Sequence, residues 1–276
     1  MPHGLLNLYK VVKKHALAEF RDAPPWPPVT FRQSGKTYYY PFRLWLRLER
    51  ELNEPVVRSE FAYVAENLLL RAGYRKTHFQ ADQTTLQLVS QMGQIRRGEG
   101  VHLGITDPAT FIPRFSRRKT EWSKPTVCPF NELILQAAIR HKIAEMAELA
   151  RVLTLLGLES IGAENLEVLS EKAVSEGHVD VLIKDCVPIG VANKIVLEAK
   201  LGKAKKDDLL QVKAYTDEFG PECISRVLIA EDFSKGMAAQ AMNLGIRLFR
   251  YNLDLEWDGP KTFEEIVMAL RLAPES

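Results

Sequence analysis

The second half of the chain carries the clearest hydrophobic pattern. Between Asn131 and Leu156, the residues Leu133, Ile134, Ala137, Ala138, Ile143, Met146, Ala147, Ala150 and Leu153 recur at helical spacing, and Gly157 closes the run. This predicts one long amphipathic helix. Beyond it the period changes: Leu166–Val174, Val179–Ile183 and Lys194–Leu197 are short and rich in β-branched residues, which predicts three successive strands. Asp207–Phe219 predicts a helix stopped by Gly220-Pro221, followed by a strand over Arg226–Ala230, a helix over Ser234–Leu244 and a last strand over Ile246–Tyr251. Helix, three strands, helix, strand is the order of a compact α/β core with mixed pairing.

The first half is less regular. Pro24, Pro25, Pro27 and Pro28 around Trp26 argue against helix or central strand over residues 21–41, because proline lacks the amide donor. The apolar positions Phe42, Trp45, Leu46, Leu48 and Leu52 predict a helix from Phe42 to Glu51. A second is predicted from Ser59 to Ala72, with Phe61, Val64, Ala65, Leu68 and Leu69 on one face. Residues 93–125 are rich in Gly, Pro, Arg and Lys and predict loop, with a domain boundary between Ser116 and Pro129. Two domains are expected, 1–125 and 126–276.

Charge sharpens that division. Residues 1–125 hold 20 Lys and Arg against 11 Asp and Glu, and the remainder 17 against 24, so a net charge of +2 conceals a basic half and an acidic half. Such asymmetry marks either a polyanion-binding module or two solvated faces of opposite sign. In the basic half, Trp26, Tyr38, Tyr39, Tyr40 and Trp45 lie among Arg32, Lys36, Arg43 and Arg47, a mixture suited to stacking on bases or to a small core. Arg117, Arg118 and Lys119 form a candidate phosphate-contacting loop.

The rest of the composition excludes more than it selects. With 46% hydrophobic and 26% charged residues the chain is of globular type. No run of about 18 apolar residues predicts a membrane span, and Lys13, Lys14 and His15 interrupt the N-terminal apolar residues, unlike a secretion signal. Three scattered cysteines, Cys128, Cys186 and Cys223, make neither a disulfide framework nor a CxxC metal pair, so a reducing, cytoplasmic setting is expected. No Ser-His-Asp arrangement, phosphate-binding loop or dinucleotide loop can be placed.

The candidate chemistry sits on the strands. In Lys194-Ile-Val-Leu-Glu198-Ala-Lys200, Glu198 and Lys200 are two residues apart and project from one face at the end of an apolar strand. Asp180, in Gly177-His-Val-Asp180, interrupts the preceding apolar strand, where an isolated carboxylate would cost several kcal/mol unless paired or metal-bound. If the two strands are neighbours, Asp180 and Glu198 meet and, with the Ala199 carbonyl, offer the hard oxygen ligands that Mg²⁺ or Mn²⁺ requires. Lys200 is then placed to orient or deprotonate a water, or to stabilise charge on a phosphate. Gln211 and Tyr215, four apart on the next helix, are neutral donors for water or phosphate, and Lys203, Lys205 and Lys206 in front of that helix suit a nucleic-acid backbone. The competing arrangement pairs Asp180 with a lysine such as Lys194 and leaves Glu198 and Lys200 as a solvated strand end.

Taken together, Gly-His-Val-Asp180, Glu198-Ala-Lys200 and Gln211-Val-Lys-Ala-Tyr215 resemble the motifs of the PD-(D/E)xK nuclease superfamily, in its RecB-like and NucS-like branches. The resemblance covers about residues 130–250 and departs in having Val179 where the pattern has proline. It implies a restriction-endonuclease-like αβββαβ core with a mixed sheet, and it leaves the basic N-terminal domain, expected from charge alone, unexplained. It implies also a metal-dependent DNA endonuclease, with Asp180, Glu198, Lys200 and Gln211 catalytic and Mg²⁺ or Mn²⁺ held by Asp180, Glu198 and the Ala199 carbonyl; the alternatives are a non-cleaving nucleic-acid-binding protein of nuclease-like fold and an RNA nuclease. The same branches place an acid on the helix before the sheet, for which Glu132 is the candidate, as a further metal ligand. DNA is the expected partner, and a two-fold homodimer the simplest way to cut both strands of a duplex.

Overall fold

The protein is described here by a computed structural model, covering residues 4–16, 29–30, 32, 35, 37–38, 42–57, 94–95, 112–122, 126–174, 177–187 and 191–275. Its elements begin with β1 (Gly4–Ala16), β2 (Val29–Thr30), β3 (Thr37–Tyr38), β4 (Phe42–Val57), β5 (Gln94–Ile95), β6 (Arg114–Ser116) and β7 (Val127–Pro129). Then come α1 (Glu132–Ile143), α2 (Met146–Leu155), β8 (Leu166–Val174), β9 (Gly177–Asp185), β10 (Lys194–Ala199), β11 (Lys203–Ala204) and α3 (Lys206–Phe219). The chain ends with β12 (Cys223–Ala230), β13 (Asp232–Phe233), α4 (Met237–Asn243), β14 (Arg247–Leu253), β15 (Lys261–Thr262), α5 (Phe263–Ala269) and β16 (Leu270–Pro274). The described residues divide into two compact units, one within 1–58, 90–129 and 257–262, the other within 130–256 and 263–276.

In the first unit β1 and β4 form a long antiparallel ribbon, running from Gly4 opposite Val57 to Ala16 opposite Phe42, with β5 added to β4. The helix expected from Phe42 to Glu51 is therefore a strand. Phe42, Leu44, Leu46 and Leu48 alternate with Arg43, Arg47 and Glu49, a period of two that the helical template also partly fits, and β1 supplies the ladder that decides between them. The helix expected over 59–72, and Trp26, Tyr39 and Tyr40 of the aromatic group, lie outside the described residues. In the stretch expected to be loop, β6 pairs in parallel with β7 and antiparallel with β15.

The second unit is built on a six-stranded mixed sheet in the order β16-β14-β12-β10-β9-β8. β8, β9 and β10 are antiparallel neighbours, β10, β12 and β14 run parallel, and β16 closes the far edge antiparallel to β14. The αβββαβ order expected from the sequence is thus present, with α1 ahead of β8, β9 and β10 and α3 between β10 and β12. α3 packs over β9, β10 and β12, burying Leu209, Val212 and Tyr215 against Leu182, Val196 and Leu228. The alternate set Val181, Ile183, Ile195, Leu197, Val227 and Ile229 is equally buried, so the central strands are covered on both faces, as parallel strands must be.

The long helix expected from Asn131 is two helices. Asn131 caps α1 by accepting from the Ile134 amide at 3.2 Å, but Glu145 turns extended (φ −70°, ψ 126°) and starts α2. A continuous helix of about 26 residues would be about 39 Å long, outrunning nine-residue strands of about 30 Å. The break keeps Leu149, Val152 and Leu153 buried. α2 then ends at Gly157, which adopts φ +69°; its amide returns to Thr154 and that of Leu158 to Leu153. That pair of hydrogen bonds closes a helix through a left-handed residue, a conformation that favours glycine. α5 and β16 follow the strand expected to be last, and short β16, ending on Pro274, is tolerated because it is an edge.

Candidate active site

β9 and β10 are paired up to Val181 opposite Leu197, so the next step along both strands brings Asp180 level with Glu198. There a side chain takes over from the ladder: the Ala199 amide donates to Asp180 Oδ2 at 2.9 Å. Both acids are buried, Asp180 at 8% exposure and Glu198 at 1%. Glu198 Oε1 accepts from Lys200 Nζ at 2.7 Å, whereas with both acids ionised Oε2 has no donor.

That crowding governs the titration. Burial first, then repulsion by Asp180, pushes Glu198 up to about 8. Burial likewise raises Asp180 to about 6, although the Ala199 amide and Lys200 work against it. The two titrate as a pair. For Lys200, burial favours the neutral amine, but Glu198, Glu132 and Asp180 outweigh it and hold the ammonium above its ordinary range. Lys200 is thus a fixed cation, suited to balancing charge on a phosphate rather than to removing a proton from water.

The remaining members arrive from the helices. Glu132, at the first turn of α1, accepts from the Leu201 amide at 3.0 Å. Gln211 Nε2 donates to the Tyr215 hydroxyl at 2.8 Å, one turn further along α3, so the Tyr215 ring sets the direction of the Gln211 carboxamide. Tyr215 can approach because position 177 is glycine: a Cβ there would lie 2.3 Å from the Tyr215 hydroxyl oxygen and 2.8 Å from Cζ. Gly177→Ala is expected to push the ring away, and Gln211 with it, at a cost of about 1–3 kcal/mol. Denaturant titration checks this, and Tyr215→Phe in the same chain should recover part of the loss; fully additive losses would show that the two positions do not meet.

The basic residues divide. Lys203 pairs with Asp232 at 3.1 Å, an exposed contact that a phosphate can displace at little cost. Lys205 and Lys206 are exposed at the start of α3, and the Lys205 amide donates to Asp208 at 2.7 Å. Arg117, Arg118 and Lys119 belong to the first unit, where the Arg117 guanidinium lies 5.0 Å above the Trp257 ring and Arg118 donates to the Asp258 carbonyl at 3.1 Å. Lys194, the alternative partner for Asp180, is bonded to Glu222 at the opposite end of β10. His141 packs edge-on against Phe263 with ring centroids 5.7 Å apart.

Two positions had no site role expected of them. Tyr251, 2% exposed on β14, accepts from the Gly202 amide at 3.0 Å, and Gly202 turns through φ +80°. A tyrosine in a strand pattern gives no sign in sequence that its hydroxyl reaches a loop about 50 residues away.

No protein-family model matches the chain, and no curated protein does. Among solved structures, the chain is similar to that of the EndoMS–dsDNA2 complex, 27% identical over 37% of this chain and 42% of that one, with a TM-score of 0.26. It is also similar to a repair endonuclease from Pyrococcus abyssi, 24% identical over 37% of this chain and 44% of that one, with a TM-score of 0.27. The chain thus spans less than half the length of either. Among the described residues no helix is long and apolar enough to cross a membrane.

Proposed function

We propose that the second unit is a metal-dependent nuclease that hydrolyses phosphodiester bonds in DNA. The observation that carries this reading is the buried Asp180–Glu198 pair, with Glu198 Oε2 given no donor among the described residues and Lys200 bonded to Oε1 beside it. Two facing carboxylates in a low-dielectric site repel one another, and a divalent cation relieves that repulsion directly. Among the described residues no group of three His, Cys, Asp or Glu side chains is set to hold a metal. Asp180 and Glu198 would share Mg²⁺ or Mn²⁺ with the Ala199 carbonyl and water, a set of hard oxygen donors that suits either ion.

The ion would supply Lewis-acid polarisation of the phosphate and a more acidic water. The chain's own residues do the rest. Lys200, held as an ammonium, balances the charge that builds on the phosphoryl oxygens. Gln211, aimed by Tyr215, holds the attacking water, and Lys203, Lys205 and Lys206 draw the backbone towards the site. The basic first unit, with Arg117, Arg118 and Lys119, adds sequence-independent affinity. DNA is proposed as the substrate on the resemblance of the motif order Gly-x-x-Asp, Glu-x-Lys, Gln-xxx-Tyr to that of NucS-like endonucleases.

Purified protein with Mg²⁺ or Mn²⁺ is expected to cut a panel of plasmid, single-stranded and branched DNA, and to act poorly on RNA of matched sequence. Lys200→Ala should slow cleavage by about 10²- to 10³-fold. A wild-type protein as inert as Lys200→Ala on the whole DNA panel sinks the reading.

A further inference from the structure

The chain leaving the catalytic strand is held in an unusual way. In a regular strand, successive amides alternate between two neighbours. Here four consecutive amides go to four different elements: Ala199 to the Asp180 carboxylate on β9, Lys200 to the Ile229 carbonyl on β12 at 2.8 Å, Leu201 to the Glu132 carboxylate on α1, and Gly202 to the Tyr251 hydroxyl on β14. The Gly202 carbonyl is also taken, by the Glu231 amide at 2.9 Å. Every amide from Ala199 to Gly202 is thereby fixed, and two of the four anchors are side chains outside the carboxylate pair.

We infer that Glu132 and Tyr251 are positioning residues, a two-jawed clasp on the Leu201-Gly202 turn that fixes the Ala199 carbonyl and the Lys200 side chain against the carboxylate pair. This rests on the proposed nuclease reading and differs from the role the motif resemblance implies for Glu132. A carboxylate oxygen already accepting from a backbone amide acts through the turn, and the acceptor it supplies there is separate from the charge it lends, beside Glu198 and Asp180, to the Lys200 ammonium. A carboxamide supplies the same acceptor. Tyr251 is suited to the other jaw because its ring is buried in the sheet, so its hydroxyl is presented from a rigid base.

Glu132→Gln separates the two roles. Its side-chain oxygen still accepts from Leu201, but as a metal ligand it is far weaker. The clasp predicts that Glu132→Gln keeps most of the wild-type kcat and binds Mn²⁺, measured by calorimetry without DNA, with the wild-type stoichiometry and within about threefold of its affinity. Glu132→Ala should lose about tenfold or more in kcat with KM for DNA little changed, and its Mn²⁺ binding should weaken. Tyr251→Phe, which removes one hydroxyl from a buried ring, should reproduce the kcat loss. Glu132→Gln as impaired as Glu132→Ala, or with one Mn²⁺ fewer per chain than wild type, would overturn the clasp and make Glu132 a ligand; so would Tyr251→Phe with unchanged kcat. If the wild type neither binds Mn²⁺ nor cuts DNA, the nuclease reading itself has failed, an outcome distinct from these.

Discussion

Glu198→Gln is expected to abolish cleavage while making the metal-free protein more stable. The two effects have one cause. Glu198 is 1% exposed, and burial with Asp180 beside it pushes its carboxyl up to about 8, so the folded protein must either bind a proton there or carry two buried like charges. Glutamine has the same shape. Its amide can donate to Asp180 and its oxygen can still accept from Lys200, so repulsion becomes a hydrogen bond. Relieving a buried like-charge contact is worth about 1–3 kcal/mol, which for a protein of this size raises the melting temperature by about 3–8 °C. The same change removes a charged oxygen ligand, and single-turnover cleavage should fall by about 10³-fold or more. Melting in EDTA and cleavage with Mg²⁺ measure the two halves. A variant that melts lower than wild type in EDTA, or that still cuts, contradicts the account.

The stability of the metal-free protein should fall as pH rises from about 4 towards 8. Both carboxyls bind protons more tightly folded than unfolded, Asp180 raised to about 6 and Glu198 to about 8. Below their unfolded values near 4 both states are protonated and the pair costs nothing. As pH rises, the unfolded chain releases its protons first, and the folded state loses stability until both native values are passed. Saturating Mg²⁺ or Mn²⁺ should reverse the trend, because ligation needs the deprotonated oxygens, so the gap in melting temperature between metal and EDTA should widen from pH 6 to pH 8.5. Glu198→Gln should flatten the EDTA profile. Wild type and Glu198→Gln running parallel across this range would show that the pair is not what titrates.

Much of the second unit was legible because local pattern and tertiary environment agree there. β8 runs from Leu166 to Val174, the limits its apolar pattern predicts, and α3 and the central strands lie within a few residues of theirs. Their apolar runs are continuous because both faces are covered. The first half misled for the opposite reason. Phe42 to Leu52 fits a helical and an alternating template at once, and only pairing with β1, far away in sequence, selects the strand. The division of α1 from α2 was equally hidden, since the apolar period runs unbroken through Ala144 and Glu145 while the sheet beneath limits the helix length.

The sequence by itself determined the αβββαβ order and the one-face spacing of Glu198 and Lys200, because strand period and burial are local properties. It also singled out Asp180, since a carboxylate inside an apolar strand stands out against its neighbours. Only the tertiary structure decided that Asp180 and Glu198 crowd each other, that Lys200 stays an ammonium, and that Glu132 and Tyr251 reach the same turn. Those depend on strand register and on the meeting of α1, β10 and β14 at one end of the sheet. No local pattern encodes such distances, because each is fixed by packing between segments tens of residues apart.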